Sequence, residues 1–453
     1  MKILKFGGTS LGDASQMRKV AAIVSHETDC VVVCSAMAGV TNTLVDMARL
    51  WSLGNTDRIV VLLQELHMRF DRACYELFPD FSEASVSLDM ISEHIYQMEK
   101  CLLEPYSLTS EYWLLSQGEV ITSRLFTEYL NAKGGGFELI DAFGFMHLQE
   151  DGEPSVDSVR EHLFRLHGQF QKGRYVTQGF ICLDHLGQPS NLKRGGSDYT
   201  ATLIGAAVQA SVIEIWTDID GVRNNDPRFV NNTFPVRELS FAEAAELAYF
   251  GAKILHPACV WPASSQKIPI YLKNTMAPAS PGTIIRQQAE AEGIRAVAAK
   301  SGISIVRIKS ARMLNAYGFL RRVFEIFETY STPIDVITTS EVAVSVTIDN
   351  SANIEPICRD LKLLGDVSVE AEQAIICIVG DILAEHQGYA AQILDSLKSI
   401  HVKMISFGGS RNNLTLVVPE GEKHEALVAL QARLFSENSR QGVSFSNQSY
   451  LAN

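Results

Sequence analysis

The sequence predicts an α/β sandwich with a mostly parallel sheet, followed by two ferredoxin-like units of order βαββαβ. Three observations carry that expectation. Apolar strand-like runs alternate with amphipathic helical stretches up to about residue 290, the periodicity changes character at 290–300, and the order βαββαβ then occurs twice. At ~100 to 200 residues per domain, 453 residues suit about three structural units.

The opening strands are Lys2–Phe6 and Cys30–Cys34, both short, apolar and bounded by Gly or Ser, whereas Ile59, Leu62, Leu63, Leu66 and Phe70 follow helical spacing. Further strands are expected at 175–180, Val212–Thr217 and 268–272, and Ala-rich helices at 200–210 and 241–250. The stretch 284–300 carries charges and Ala without a clear strand, so the boundary falls there. The first repeat reads as strand 303–308, a helix with Leu320, Val323 and Phe327 on one face, strands 334–337 and 342–348, a helix with Ile354, Ile357, Leu361 and Leu364, and strand 367–369. The second reads as strand 375–379, a helix with Ile393, Leu397 and Ile400, strands 402–407 and 414–418, a helix with Leu427, Leu430 and Leu434, and strand 443–445. The loop 313–318 faces the strand that begins near Ile334. Paired modules of this kind either bind a small ligand between them or dimerise the protein, and pattern alone leaves both open.

Composition removes several function classes. Hydrophobic residues make up 46% and charged residues 20%, enough apolar material for more than one core. A net charge of −13 without any basic run argues against a nucleic-acid partner. No apolar stretch approaches the ~18 to 20 residues of a membrane span, and the N-terminus lacks a signal-peptide core, which places the chain in the cytoplasm. Eight scattered cysteines form no CxxC pair and read as buried thiols, with no metal site. The strings GxxxxGK[ST], GxGxxG, HExxH and GxSxG are absent.

Three constellations carry chemistry. In Lys5-Phe6-Gly7-Gly8-Thr9-Ser10, two glycines let backbone N–H groups approach an anion and Lys5 adds a charge; the bland alternative is a tight turn with a surface lysine. In Lys193-Arg194-Gly195-Gly196-Ser197-Asp198-Tyr199-Thr200, Arg194 suits a carboxylate and a helix N-terminus favours the Asp198 carboxylate, while Ser197 or Asp198 could equally cap the helix. The third runs from Trp216-Thr217-Asp218 through Arg223 to Asp226-Pro227-Arg228, a strand entering a polar turn at the sheet's carboxyl edge, where ligands of open α/β sheets lie. Ser116-Gln117-Gly118-Glu119 is expected to open a helix, and 250–257 to close one.

With these strings in this order, and with Ser35-Ala-Met-Ala-Gly-Val-Thr41-Asn, Phe250-Gly-Ala-Lys253-Ile-Leu-His-Pro257 and Ile334-Asp335-Val-Ile-Thr-Thr-Ser340-Glu341, the sequence resembles the aspartate kinases of the amino-acid kinase family, most closely the monofunctional lysine-sensitive type. The resemblance covers essentially the whole chain. It implies an amino-acid kinase α/β/α sandwich over 1–294 and two ACT domains over 301–370 and 374–453, whose strands interleave in the family. The implied reaction moves the γ-phosphoryl group of ATP, with Mg²⁺, onto the side-chain carboxylate of L-aspartate, without a prosthetic group. Phosphoryl transfer needs positioning and charge compensation more than covalent help, and a carboxylate needs no general base.

By the same resemblance, Lys5, Asp198 and Lys253 are catalytic. Lys5, Gly7, Gly8, Thr217, Asp218, Arg223, Asp226, Arg228 and Lys253 surround ATP; Ser35, Thr41, Glu119 and Arg194 hold aspartate. Met313, Gly318, Phe319, Leu320, Asp335, Ser340 and Glu341 match the site of an allosteric L-lysine, and the tail implies a homodimer or dimer of dimers through the ACT domains. Relatives usually carry Gly at Lys193, an aromatic residue at Arg223, and Ser at Ala316 and Pro333. A kinase for acetylglutamate, glutamate or a nucleoside monophosphate normally lacks both the Arg-Gly-Gly-Ser-Asp string and the double ACT tail. An amino-acid sensor with a decayed kinase would not need Lys5, Asp198 and Lys253 together.

Overall fold

The computed structural model describes residues 1–168, 172–192, 195–250, 255–289, 293–314, 317–381 and 387–435. The chain forms two compact units. The first comprises Met1–Val222, Arg237–Phe241 and Ile254–Ala289; the second comprises Arg223–Val236, Ala242–Lys253 and Glu290–Asn453. No helix among the described residues is long and apolar enough to cross a membrane.

The first unit is built on an eight-stranded sheet in the order Glu138–Ile140, Arg174–Gln178, Cys30–Cys34, Lys2–Phe6, Val212–Thr217, Ile270–Asn274, Thr283–Arg286, Glu238–Ser240. Neighbours run parallel except Thr283–Arg286 against Ile270–Asn274. A parallel sheet is covered on both faces, which explains why the central strand Cys30–Cys34 reads as an unbroken apolar run. All five residues of Cys30–Cys34 are buried. The main core gathers Phe6, Met17, Leu44, Phe70, Ile91 and Phe126 from the strands and from helices Ala14–Val24, Val40–Ser52, Thr56–Leu77, Phe81–Leu103 and Leu108–Ala132.

Two helix boundaries differ from expectation. Ser116-Gln-Gly-Glu119 does not open a helix but lies in the middle of Leu108–Ala132, whose start is set by Ser107 accepting the Ser110 N–H at 3.1 Å. The helix before residue 250 ends at Tyr249, and His256 caps the next one, Pro257–Ser265, by accepting the Ala258 N–H at 3.1 Å. His256-Pro257 therefore opens an element, with proline at a first-turn position that needs no N–H. Of the eight cysteines, six are buried and Cys101 and Cys358 are partly exposed.

The second unit carries one six-stranded antiparallel sheet in the order Ile337–Thr339, Ala343–Ile348, Gly293–Lys309, Asp366–Asp381, Asn413–Pro419, Met404–Phe407. Its two central strands run through both modules. The half Ser304 to Lys309 pairs with Ala343–Ile348, while Ile294 to Lys300 pairs with the far half of Asp366–Asp381. This corrects the sequence reading at two points. The stretch 284–300 does contain a strand, and the segments 367–369 and 375–379 are one strand; the strand expected at 443–445 lies outside the described residues. The charges that disguised the strand at 293–300 are paired: Arg295 with Glu243 at 3.3 Å and Lys300 with Asp335 at 3.2 Å. Register shifts between 294 and 296, and between 300 and 305, also break the period-two alternation.

Each module packs two helices on the sheet. Phe319, Val323 and Phe327 join Ile357 and Leu361 in one core; Leu320, 37% exposed, points away from it, contrary to expectation. Ile393, Leu427 and Leu430 fill the other core with Leu397 and Ile400, which follow the end of helix Tyr389–Ser396 rather than lying in it. Leu364 likewise falls beyond Ile354–Leu361, and the expected strand 334–337 forms three residues later, at Ile337–Thr339. The excursion 223–236 is bound into this unit: buried Asn224 and Asn225 donate to Gln431 Oε1 at 2.9 and 3.2 Å, and Asn224 O accepts the Val297 N–H at 2.8 Å.

The strand 293–300 is directly testable. Val297 is 3% exposed, so Val297→Asp would put an unpartnered carboxylate in the second module's core at a cost above ~2 kcal/mol. A clear drop in melting temperature of the full chain is expected; an unchanged one would mean that 293–300 is a linker.

Candidate active site

Lys5 lies on a central strand that is buried on both faces, with Phe6 stacked on Trp216 behind it at 5.8 Å between ring centroids. Only 9% of Lys5 is exposed, so its ammonium needs a partner. Asp198 supplies it at 2.6 Å between Nζ and Oδ1.

Asp198 reaches this place through two glycine-dependent contacts. Gly195, with φ +71°, stands at the N-cap of Gly196–Ala207, and a Cβ there would lie 2.3 Å from Cys259 Sγ. A Cβ on Gly179 would meet Ser197 Cβ at 2.3 Å. Only a bare backbone lets the helix start approach so closely. Neither Ser197 nor Asp198 caps the helix, which settles the alternative left open by the sequence; Ser197 Oγ instead accepts from Ser35 Oγ at 2.9 Å and Asp198 holds Lys5. Next to Gly179, Phe180 takes φ +70°, a left-handed conformation held by its N–H donating to Thr200 Oγ1 at 3.0 Å. Strain of this kind persists where surroundings enforce it, commonly at functional sites.

Of the paired glycines, Gly7 donates its N–H to Trp216 O at 3.2 Å. Its amide is therefore committed to the sheet, and of the two it is Gly8 that has no backbone partner among the described residues. Gly8 also cannot carry a side chain, since a Cβ would sit 2.9 Å from Ala36 O. Ser10, fully buried, bonds Thr275 Oγ1 at 2.7 Å and fixes the turn against the end of strand Ile270–Asn274.

Glu119 is the second buried charge-bearing group, 3% exposed. Its Oε1 accepts the Ala36 N–H at 3.3 Å, and its Oε2 is buried with no partner among the described residues. Burial pushes its carboxyl up to about 8, with the Ala36 N–H pulling weakly the other way. Gly118 makes the approach possible, because a Cβ there would stand 2.9 Å from Ala36 Cβ and 3.1 Å from Val40 Cγ1. Thr122, a turn later, accepts the Met37 N–H at 3.2 Å. The Ser35–Thr41 loop is thus clamped to the long helix, and Arg69 bonds Ala38 O from the other side. Thr41 is the second residue of helix Val40–Ser52 and is partly exposed.

Lys193, Arg194 and Lys253 lie outside the described residues. Thr217 and Asp218 stand at the carboxyl end of strand Val212–Thr217; Thr217 Oγ1 accepts the Ile219 N–H at 3.0 Å and Asp218 is exposed. Arg223, Asp226 and Arg228 belong to the second unit and their side chains serve one another or the loop. Arg223 Nε donates to Thr233 Oγ1 at 2.7 Å, and Arg228 grips Asp226 at 2.6 Å. Burial acts to raise the Asp226 carboxyl, but the Arg228 bonds outweigh it and hold it low.

Among the effector candidates, Met313 ends a short 3₁₀ turn, and Gly318, at φ +76°, starts the helix whose Phe319 is buried in the module's core. Leu320, Ser340 and Glu341 are exposed. Asp335 is not an open anion. Its side chain is 3% exposed and already holds Lys300 at 3.2 Å and the Tyr249 hydroxyl at 2.8 Å. Sequence reasoning passed over Ser197 as a partner, Thr122, Arg69, Tyr249 and Lys300; only Ser197 stood within a motif, where its capping reading hid its role.

A model of the amino acid kinase family matches residues 1–274, and a model of the ACT domain matches residues 376–434. Lysine-sensitive aspartokinase 3 of Escherichia coli (strain K12) is 32% identical over 447 residues, covering 96% of this chain and 99% of that protein. The crystal structure of E. coli aspartokinase III in complex with aspartate and ADP aligns with a TM-score of 0.84 at 30% identity, over 96% of this chain and 100% of that one. The same enzyme in complex with lysine and aspartate aligns at 0.79 and 31% identity, over the same shares. The kinase model spans more than half of the sequence and the relative is matched along its whole length, so this chain belongs to the amino acid kinase family, among its aspartokinases.

Proposed function

We propose that the chain transfers the γ-phosphoryl group of ATP to the side-chain carboxylate of L-aspartate, giving 4-phospho-L-aspartate and ADP, the first step of lysine, threonine, methionine and diaminopimelate biosynthesis. The observation that carries this reading is Lys5, nearly buried at the strand end and held 2.6 Å from Asp198. One bond forms, from an aspartate carboxylate oxygen to the γ-phosphorus, and one breaks, to the bridging oxygen that leaves on ADP. Lys5 and the Gly8 N–H meet the charge on the transferring oxygens, and Asp198 aims Lys5. Mg²⁺ arrives on the nucleotide. Lys253 serves the nucleotide phosphates, and the family pattern assigns Thr217, Asp218, Arg223, Asp226 and Arg228 to ATP as well.

Glu119 Oε2 takes the substrate ammonium, Arg194 its α-carboxylate, and Ser35 and Thr41 line the pocket. A buried carboxylate with a vacant acceptor is suited to a cation that brings its own charge. The E. coli relative holds aspartate and ADP in its crystal structure, which supports the pairing of substrates. That relative's lysine complex supports L-lysine as the effector, bound around Met313, Gly318, Phe319, Leu320, Asp335, Ser340 and Glu341. We assign catalysis chiefly to the first compact unit and effector binding to the two ACT modules of the second, which share the strands Gly293–Lys309 and Asp366–Asp381, the chains pairing as a homodimer or dimer of dimers in the cytoplasm.

The direct test is ADP release with L-aspartate, L-glutamate or acetylglutamate, each with and without L-lysine and L-threonine; turnover confined to another acid overturns the assignment. Lys5→Ala and Asp198→Ala should each lower kcat by ~10² to 10³, since each removes charge organisation used in the transition state; Asp198→Ala also leaves the buried Lys5 ammonium unpaired and should lower the melting temperature more than Lys5→Ala does. Near-normal turnover in either would remove that residue from the mechanism.

Glu119 makes binding depend on pH. Its carboxyl titrates at about 8 in the empty site, and only the ionised form attracts an ammonium. Below that pH a proton must leave on binding, so aspartate affinity should weaken as pH falls, approaching tenfold per unit, between about pH 8 and pH 6. Glu119→Gln should raise the aspartate KM and flatten the profile. Retention of the slope in that variant would assign it to another group.

A further inference from the structure

The carboxylate expected to receive the effector's cation already holds one from this chain. Lys300 Nζ lies 3.2 Å from Asp335 Oδ1 and 2.8 Å from Asp349 Oδ2. The Tyr249 ring stands 5.3 Å from the same ammonium, and its hydroxyl donates to Asp335 Oδ1 at 2.8 Å. Asp335 Oδ2 is buried with no partner among the described residues, so the site retains an acceptor for one more donor. Lys300 sits where the long strand loses register between 300 and 303, at the passage from one module to the other. Burial disfavours its ammonium, yet Asp349 and Asp335 outweigh that and hold its pKa above the ordinary value.

A lysine side chain between two carboxylates presents the same chemical group as free L-lysine. We propose that Lys300 is a tethered competitor of the effector: the ammonium of a cationic amino acid enters the Asp335–Asp349 pair by displacing Lys300 Nζ, and that exchange releases the Tyr249 hydroxyl. This rests on the effector reading given above and deepens it. Competition by a tethered group reduces apparent affinity by the fraction of molecules in which the site is free, which sets the effector threshold without altering the site itself. It also separates effectors by chemistry, because threonine has no side-chain cation to exchange.

The exchange has a defined mechanical consequence. Helix Phe241–Tyr249 is fastened to the sheet along one face: Glu243 to Arg295, Glu246 to Asn413, Tyr249 to Asp335. The residues recur every three positions, as one helix face requires. Only the last tether ends on the effector carboxylate, and it is the one nearest in sequence to Lys253. Displacement of Lys300 therefore loosens that end of the helix while the other two fastenings remain.

The experiment is titration of the full-length protein with L-lysine by calorimetry, in the parent, Lys300→Met and Tyr249→Phe, with L-threonine as control and turnover without effector recorded for each. Lys300→Met should bind L-lysine ~5- to 10-fold more tightly at unchanged basal turnover. Tyr249→Phe, which keeps the ring and nearly all its volume, should tighten it by about 2- to 5-fold, the scale of one hydrogen bond; it decides the matter if Lys300→Met fails to fold. Equal or weaker lysine binding in the variants, with the parent binding, overturns the exchange alone and makes Lys300 a scaffold. Equal tightening for threonine also overturns it. If neither the parent nor the variants bind L-lysine, the effector reading falls and the exchange with it.

Discussion

The site depends on keeping one lysine ammonium out of water at the end of a strand that is covered on both faces. Lys5 cannot be there without Asp198, since an unpaired charge so buried is far costlier than the pair. Asp198 in turn needs a helix start pressed against the sheet, and that approach rests on the missing side chains of Gly179 and Gly195. The same logic sets Glu119, which is brought to the Ala36 amide by a helix that crosses closely at Gly118. Two separately buried charged groups are thereby placed by glycines rather than by flexible loops, and neither has to be assembled when ligand arrives.

The parts of the fold that were legible are those whose burial is uniform. Cys30–Cys34 read correctly because both faces of a parallel sheet are apolar, and Val323 with Phe327 read correctly because a helix on a sheet shows one apolar face. The strand 293–300 was hidden for an opposite reason. Its charges look like surface, but Arg295 and Lys300 find partners inside the unit. Register shifts removed the alternation that would otherwise have revealed it.

In the site, the strings located Lys5, Asp198 and Glu119 but left open whether Ser197 and Asp198 serve the helix end or the site. Ser197 and Asp198 precede an Ala-rich run, which is also what a cap would do, and only distance shows that they face Ser35 and Lys5. Gly7 and Gly8 are alike in sequence and unlike in space, because Gly7's amide completes the sheet with Trp216. Nor does sequence position reveal membership of a unit. The Asp226-Pro-Arg228 loop precedes three strands of the first sheet, yet it folds with helix Lys423–Leu434 through Asn224, Asn225 and Gln431. Buried amides of this kind are tolerated because each finds a partner.

The two long strands that serve both modules carry a thermodynamic consequence. Gly293–Lys309 and Asp366–Asp381 run side by side through both cores, so the modules share two continuous strands, although each keeps its own hydrogen-bond partners along them. Opening one module leaves the other's ladder paired and frays only its inner end, where the register shifts between 300 and 303. Val306 and Ile376, on opposite sides of that shift, should therefore exchange their amide protons through separate opening events on one shared pair of strands.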